Sequence, residues 1–270
     1  MNLVSDGRLR YRMPVSFGPM PGPRQRVGGG RYDNHLAHID VYASGFLTSA
    51  SAAQSLLPPG LVLDGEPVVT VEFSYMREIQ WLAGRGYNTL GVKIPARYEG
   101  SSRRLRGSFL AVLWENKAEP IITGRDELGY AKVFCDIHPP QVIDGQVLCT
   151  ASWEGHRFLE LELNGLSPTA PEPAPPTDGT LHYRYVPRVG CPGETDFEGV
   201  ILTPTVAPAE VMGYSTGSGD VRFLPSTWEQ LPTLVHIVEA LGALPILERR
   251  GATFRSMRRD IENAGQCIVD

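Results

Sequence analysis

A succession of short runs rich in Val, Ile, Tyr and Phe, each closed by glycine, proline or another turn former, sets the strongest limit on how this chain can fold. Such runs bury a face by pairing side by side, and turn signals a few residues apart join neighbours as hairpins. Strands are predicted near 38–43, 68–77, 90–98, 107–115, 121–123, 131–137, 146–153 and 157–163, and again near 180–186, 199–205, 209–215 and 220–223. Glu99-Gly100 and Glu154-Gly155 supply hairpin connections. Helices are few. One is expected over 49–57, stopped by Pro58-Pro59, and a second over 231–241, where Leu234, Val235, Val238 and Leu241 fall at helical spacing before Gly242. The pattern predicts a β-rich domain.

The division along the chain is an extended arm over 1–35, rich in arginine, glycine and proline, a single domain over 36–250, and a charged tail over 251–270, helical or frayed. The proline-rich stretch 167–179 reads as a long loop, because repeated proline cannot pair in a central strand. The net charge of −5 gives no general attraction to nucleic acid or to an anionic membrane, and Arg103-Arg104-Leu105-Arg106 reads as a solvated hairpin end. No stretch reaches the ~18 apolar residues of a membrane span, and the four cysteines form no C-x-x-C pair. A soluble cytoplasmic protein with reduced thiols is expected.

Three motif-like features carry little chemistry. Gly213-Tyr-Ser215-Thr-Gly217 matches the nucleophile-elbow pattern, but the following residues predict another strand where that motif needs a helix. His35 and His38 have metal-like spacing without an accompanying acidic ligand pattern, and no metal is expected. Gly28–Gly30 follows no strand and opens no helix, which argues against a phosphate loop.

The lysines are more informative. Only Lys93, Lys117 and Lys132 occur among 25 Lys+Arg residues. Lys117 sits among acidic neighbours in a solvated turn, whereas Lys132 lies in the mostly apolar run 128–137. Strict alternation places it with Tyr130, Phe134 and Asp136 and sets Ala131, Val133 and Cys135 on the other face. Both faces carry apolar residues, so local pattern leaves open a solvated or snorkelled side chain and a buried, reactive one. Burial lowers a lysine pKa from ~10.4 by ~3–5 units and frees the amine as a nucleophile.

The wider context weighs on that choice. Leu57-Pro-Pro-Gly-Leu61, Glu66-Pro67 and Val71-Glu72-Phe73 are followed by Gly86-Tyr-Asn-Thr-Leu-Gly91 with Ile94-Pro95. The continuous run Glu119-Pro-Ile-Ile-Thr-Gly124-Arg-Asp-Glu-Leu-Gly-Tyr130-Ala-Lys132-Val-Phe134 comes next. In order and spacing these stretches resemble the acetoacetate decarboxylase family, and weaker similarity continues through 215–223 and 228–246. The resemblance implies an α+β fold, mainly antiparallel, with a curved sheet closed into a cone or barrel and a few peripheral helices. It also implies a homo-oligomer.

For the site, the resemblance implies that Lys132 is a Schiff-base nucleophile, working without metal or organic cofactor on a small-molecule keto acid. Glu72 matches one family glutamate. The substrate-carboxylate arginine falls in the N-terminal arm, where Arg31 and Arg24 both qualify, and Tyr87 and Thr89 complete the candidate substrate-binding set. The chain departs from the family in three places. Ala131 stands for the usual proline, Val133 for an adjacent cation, and Thr89 for a second glutamate. Without that cation, desolvation must activate the lysine. Without that glutamate, three outcomes stay open: decarboxylation of a small or medium β-keto acid, aldol addition and dehydration on pyruvate-like substrates, or ligand binding without turnover.

Overall fold

A computed structural model describes residues 11–12, 20–21, 32, 37–101, 103–171, 176–205, 210–259 and 265–269. Among these a small two-stranded ladder, Tyr11–Arg12 with Met20–Pro21, stands apart from one mainly antiparallel sheet of 16 strands. Three helices accompany the sheet: α1 (Ala50–Gln54), α2 (Ala118–Asp126) and α3 (Val235–Gly242). None is long and apolar enough to cross a membrane.

The centre of the sheet runs, in spatial order, Glu210–Phe223, Gly251–Arg259, Ala37–Leu47, Val68–Arg77, Tyr87–Glu99 and Arg104–Glu115. Gln146–Trp153 and His156–Pro168 extend one limb, and Gly179–Pro187 with Thr195–Pro204 extends the other. Strand pairing follows an open path whose two ends share no ladder. The short segment after Tyr130 nevertheless bridges two strands far apart in that order: Lys132–Phe134 pairs in parallel with Leu113–Glu115, and Asp136–Ile137 pairs with Ala151–Ser152. It is this segment that carries the lysine.

Local chemistry accounts for the strands. In Val68–Arg77, Val69, Val71 and Phe73 enter the main core, while Glu72, Ser74 and Met76 share the opposite face. The connection Glu154-Gly155 is a two-residue turn with positive φ at both positions (48° and 82°), as a hairpin between twisted strands requires. Helix α3 closes the core with Val238 and Leu241, joined by Leu234 at its N-cap.

Two predicted elements are corrected. The strand expected near 121–123 is part of α2. Its β-branched run Ile121-Ile122-Thr123 misled, but Pro120 lies in the first helical turn, where no amide is needed, and Glu119 and Arg125 suit the two ends of the helix dipole. The segment after Arg249, expected to be helical or frayed, contains the strand Gly251–Arg259, inserted between Ala37–Leu47 and Glu210–Phe223. Its arginines obscured an alternation in which Arg255, Met257 and Arg259 line one surface. Gly213–Gly217 lies inside the strand Glu210–Phe223, with Ser215 opposite Phe254, so no elbow forms there.

Candidate active site

Lys132 enters the structure as the first residue of its short strand, with its side chain on the cavity face of the sheet and Val133 packed on the main core. Helix α2 lies against that side chain. A Cβ on Gly124 would collide with Lys132 Cε and Cδ, so only glycine lets the helix approach this closely. The helix also supplies bonds: Lys132 Nζ donates to the Pro120 carbonyl at 3.1 Å, and Arg125 Nη1 donates to the Lys132 carbonyl at 2.9 Å. The Gly124-Arg125 pair seen in the sequence therefore has a physical purpose at the lysine, one making space and the other fixing its backbone.

The amine meets a carboxylate. Lys132 Nζ lies 2.7 Å from Glu115 Oε1, with side-chain exposures of 8% and 1%. Glu115 ends the strand Arg104–Glu115, where it sits directly opposite Thr89. Its second oxygen, Oε2, is buried with no hydrogen-bond partner among the described residues. Burial pushes the Glu115 carboxyl above the usual carboxylate range, against the opposing pull of the Lys132 charge. Tyr130 places its ring 5.2 Å from Nζ, and His182 packs edge-on against that ring at 3.9 Å. Burial, then the charges of Lys132 and Lys93, push His182 down to about 3, so this imidazole is neutral in the working range of pH and acts as a wedge behind Tyr130. Its Nε2 lies 2.7 Å from Thr203 Oγ1.

A cavity of about 400 Å³ opens from this pair. Four neighbouring strands supply most of its wall: Ile39 and Val41; Glu72, Ser74 and Met76; Tyr87, Thr89, Gly91 and Lys93; and Arg255, Met257 and Arg259. The register explains the grouping, because Arg255, Val41, Ser74, Thr89 and Glu115 form one row across five strands. A second ion pair stands in the wall, with Lys93 Nζ donating to Glu72 Oε1 at 2.8 Å and exposures of 28% and 24%. Burial works to raise Glu72, but Lys93 and then Arg255 and Arg259 outweigh it and hold the carboxyl below its ordinary value.

The structure thus brings Lys132, Glu72, Tyr87 and Thr89 to one cavity. Arg24 and Arg31 lie outside the described residues, as do His35 and Gly28–Gly30. His38 bonds with Asp40 and Ser256 on the face away from the cavity, and among the described residues no group of three or more His, Cys, Asp or Glu is arranged to hold a metal. Sequence reasoning missed Glu115, Lys93, Arg255 and Arg259. The period of two through Arg255, Met257 and Arg259 was the available signal for the last two.

The acetoacetate decarboxylase (ADC) family model matches residues 13–255, nine-tenths of the chain. The chain belongs to the acetoacetate decarboxylase family. Among curated proteins no sequence matches it. Similar solved structures include an acetoacetate decarboxylase (13% identity, TM-score 0.67, covering 96% of this chain and 95% of that one). Another is the acetoacetate decarboxylase of Legionella pneumophila subsp. pneumophila str. Philadelphia 1 (17%, 0.64, 92% and 94%). The enduracididine biosynthesis enzyme MppR, complexed with the condensation product of pyruvate and imidazole 4-carboxaldehyde, matches at 18% identity and TM-score 0.61 over 86% of this chain and 88% of that one. At these identities the solved structures establish the shared fold.

Proposed function

We propose that the protein is a Schiff-base-forming carbon–carbon lyase, acting on a small or medium β-keto acid through Lys132. The observation that carries the reading is the sealed pair: a lysine amine 2.7 Å from a carboxylate whose proton affinity burial has raised, at the wall of a cavity large enough for a small metabolite. Addition needs the amine unprotonated. Glu115 takes the ammonium proton, and the freed lone pair of Nζ attacks the ketone carbon to give a carbinolamine. Loss of water forms the protonated imine. The bond to the carboxylate then breaks, carbon dioxide leaves, and the electron pair flows into the imine as an enamine. Protonation of the enamine carbon and hydrolysis return the ketone product and the lysine.

Glu72, held by Lys93, positions substrate or transfers a proton at the other part of the cavity, with Tyr87 and Thr89 between. Because threonine at 89 supplies no carboxylate, the acid–base work next to the imine falls to Glu115 from the neighbouring strand. The same arrangement supports a second reading, aldol addition and dehydration on a pyruvate-like substrate, and the kinship with MppR structures bound to pyruvate and its condensation product favours keeping it. Cone-like closure of the sheet, homo-oligomeric assembly and a cytoplasmic setting belong to this reading too.

Borohydride added with a keto acid traps the imine as a stable secondary amine. The expected adduct maps to Lys132 and disappears in Lys132→Met. An adduct on Lys93 or Lys117, or none across short 2- and 3-keto acids, overturns the assignment.

A further inference from the structure

Charge around the cavity does not balance. Among the described residues its wall carries four cationic side chains, Lys132, Lys93, Arg255 and Arg259, and two carboxylates, Glu115 and Glu72. The lysines consume both carboxylates in the two ion pairs. Arg255 and Arg259 have no hydrogen-bond or ion-pair partner among the described residues, and the Nε atom of each is buried and unsatisfied. Arg77, Arg97, Arg106, Arg222 and Arg249 each meet a carboxylate within 3.1 Å, and of the other two arginines with a buried, unsatisfied Nε, Arg250 pairs with Glu66 and Glu248 and Arg184 bonds the Asp126 carbonyl. Two guanidinium groups left with buried, unpaired donors in a cavity wall are costly unless an incoming anion completes them.

We infer that the strand Gly251–Arg259 forms an anion subsite, and that the preferred substrate is a keto acid bearing a second carboxylate. This deepens the reading of Lys132 as the imine-forming residue and rests on it for the position of the ketone. Both arginines act on Glu72 electrostatically, which places their charge at the Lys93–Glu72 part of the wall. Arg255 lies four strand spacings from Glu115 along one register row, about 19 Å measured along the sheet, and the Lys132 and Arg255 side chains line the same cavity toward the two ends of that span. A short chain with its ketone at Lys132 can therefore present a remote carboxylate to the guanidinium pair. A keto monoacid offers one negative charge to two unpaired arginines; a keto diacid neutralises both. For a decarboxylase the distinction has a chemical sense: the retained carboxylate is the one held by arginine, while the departing one is left free of strong donors that stabilise it before the bond breaks.

The test compares 2-oxopentanoate with 2-oxopentanedioate, equal in carbon number and differing in a terminal methyl against a carboxylate. Dissociation constants are read by calorimetry, and imine trapping is read separately by borohydride and peptide mapping. The diacid is expected to bind about tenfold tighter or more, the scale of one charge-assisted hydrogen-bonded contact. The preference should shrink as salt rises. Arg255→Gln and Arg259→Gln should each lower diacid affinity while changing monoacid affinity less, and Arg255→Lys, which keeps the charge, should retain part of the preference. Equal affinities in the native protein, or a preference untouched by both glutamine variants, overturns the inference. Tight diacid binding without any adduct on Lys132 sinks the imine reading and leaves the anion subsite standing; trapping of both acids with equal affinity does the reverse.

Discussion

The cavity holds two lysine–carboxylate pairs, and they differ in almost everything except their chemistry. Lys132–Glu115 is sealed, with exposures of 8% and 1%, pressed by α2 and backed by the Tyr130–His182 stack. Lys93–Glu72 is open, at 28% and 24%, a diagonal cross-strand contact with two further cations nearby. The two settings push the carboxyls in opposite directions. Where water is excluded, burial raises the carboxyl against the pull of the amine's charge, the direction that the proposed nucleophilic attack by Lys132 would need. Where the pair is partly exposed and extra positive charge stands nearby, the carboxyl is held low.

The largest effect expected from breaking this comparison is on Glu115. Removing one partner of a buried pair leaves the other uncompensated, so Glu115→Gln should cost about 3 kcal/mol or more in chemical denaturation. Because the loss comes from an orphaned ammonium, Glu115→Gln combined with Lys132→Met should recover much of it. Additive losses in the double variant would show that the two side chains are not coupled. Imine trapping at Lys132 should slow in the single variant as well, since the proton acceptor is gone.

His182 sharpens the same contrast through pH. Unfolded, it takes a proton near 6.5; folded, only near 3, chiefly because it is buried. Between those values the unfolded chain binds more protons, so stability falls as pH drops through the window and is fully present above it. The full difference amounts to about 3–5 kcal/mol. His182→Gln should flatten the dependence of unfolding free energy on pH between 6.5 and 3. A variant profile parallel to the native one would remove His182 from the account.

Gly124→Ala comes next. The new methyl would overlap Lys132 Cε and Cδ, and relief requires α2 or the lysine to shift, at about 1–3 kcal/mol. Trapping yield should fall further than stability does, because the displaced amine loses its alignment with Glu115. Gly91→Ala is the control from the same wall: its nearest neighbours are the flexible ends of Leu110 and Leu113, at 3.2 and 3.5 Å, and it should be tolerated better. Equal loss of trapping in both variants would mean that α2 has no special hold on the lysine.

Much of this arrangement was readable before any coordinates. Strands 68–77 and 146–153 appear at their expected bounds because each alternates one apolar face with turn signals at both ends. Lys132 was conspicuous for its rarity and apolar setting, and Glu72, Tyr87 and Thr89 arrived with it through the family resemblance. Glu115 was not readable, because its partnership depends on a three-residue parallel register between segments that sequence alone does not align. Helix α2 was hidden by the β-branched residues at its centre. The strand Gly251–Arg259 was hidden by its arginines, which look like solvated charge until the sheet shows that alternate ones line a cavity.

The smallest stability effect should come from the open pair, and it separates a structural from a ligand-directed role for Glu72. The pair is only partly exposed, but solvent still screens it more than the sealed one, so Glu72→Gln should cost about 1 kcal/mol at neutral pH, less than Glu115→Gln. Its carboxyl is held below the ordinary value, so whatever it contributes is present above the unfolded carboxylate pKa and lost only as pH falls through the lower folded one. Binding should respond more. With Glu72 neutral, Lys93 joins Arg255 and Arg259 as a third uncompensated cation, and a keto diacid should bind about threefold tighter or more, with the gain erased by salt. Calorimetry on Glu72→Gln with 2-oxopentanedioate decides it. A weaker diacid complex would mean that Glu72 itself contacts the ligand, with its carboxylate accepting a hydrogen bond or orienting the bound chain, and the open pair would then share in binding as directly as the sealed one is proposed to share in chemistry.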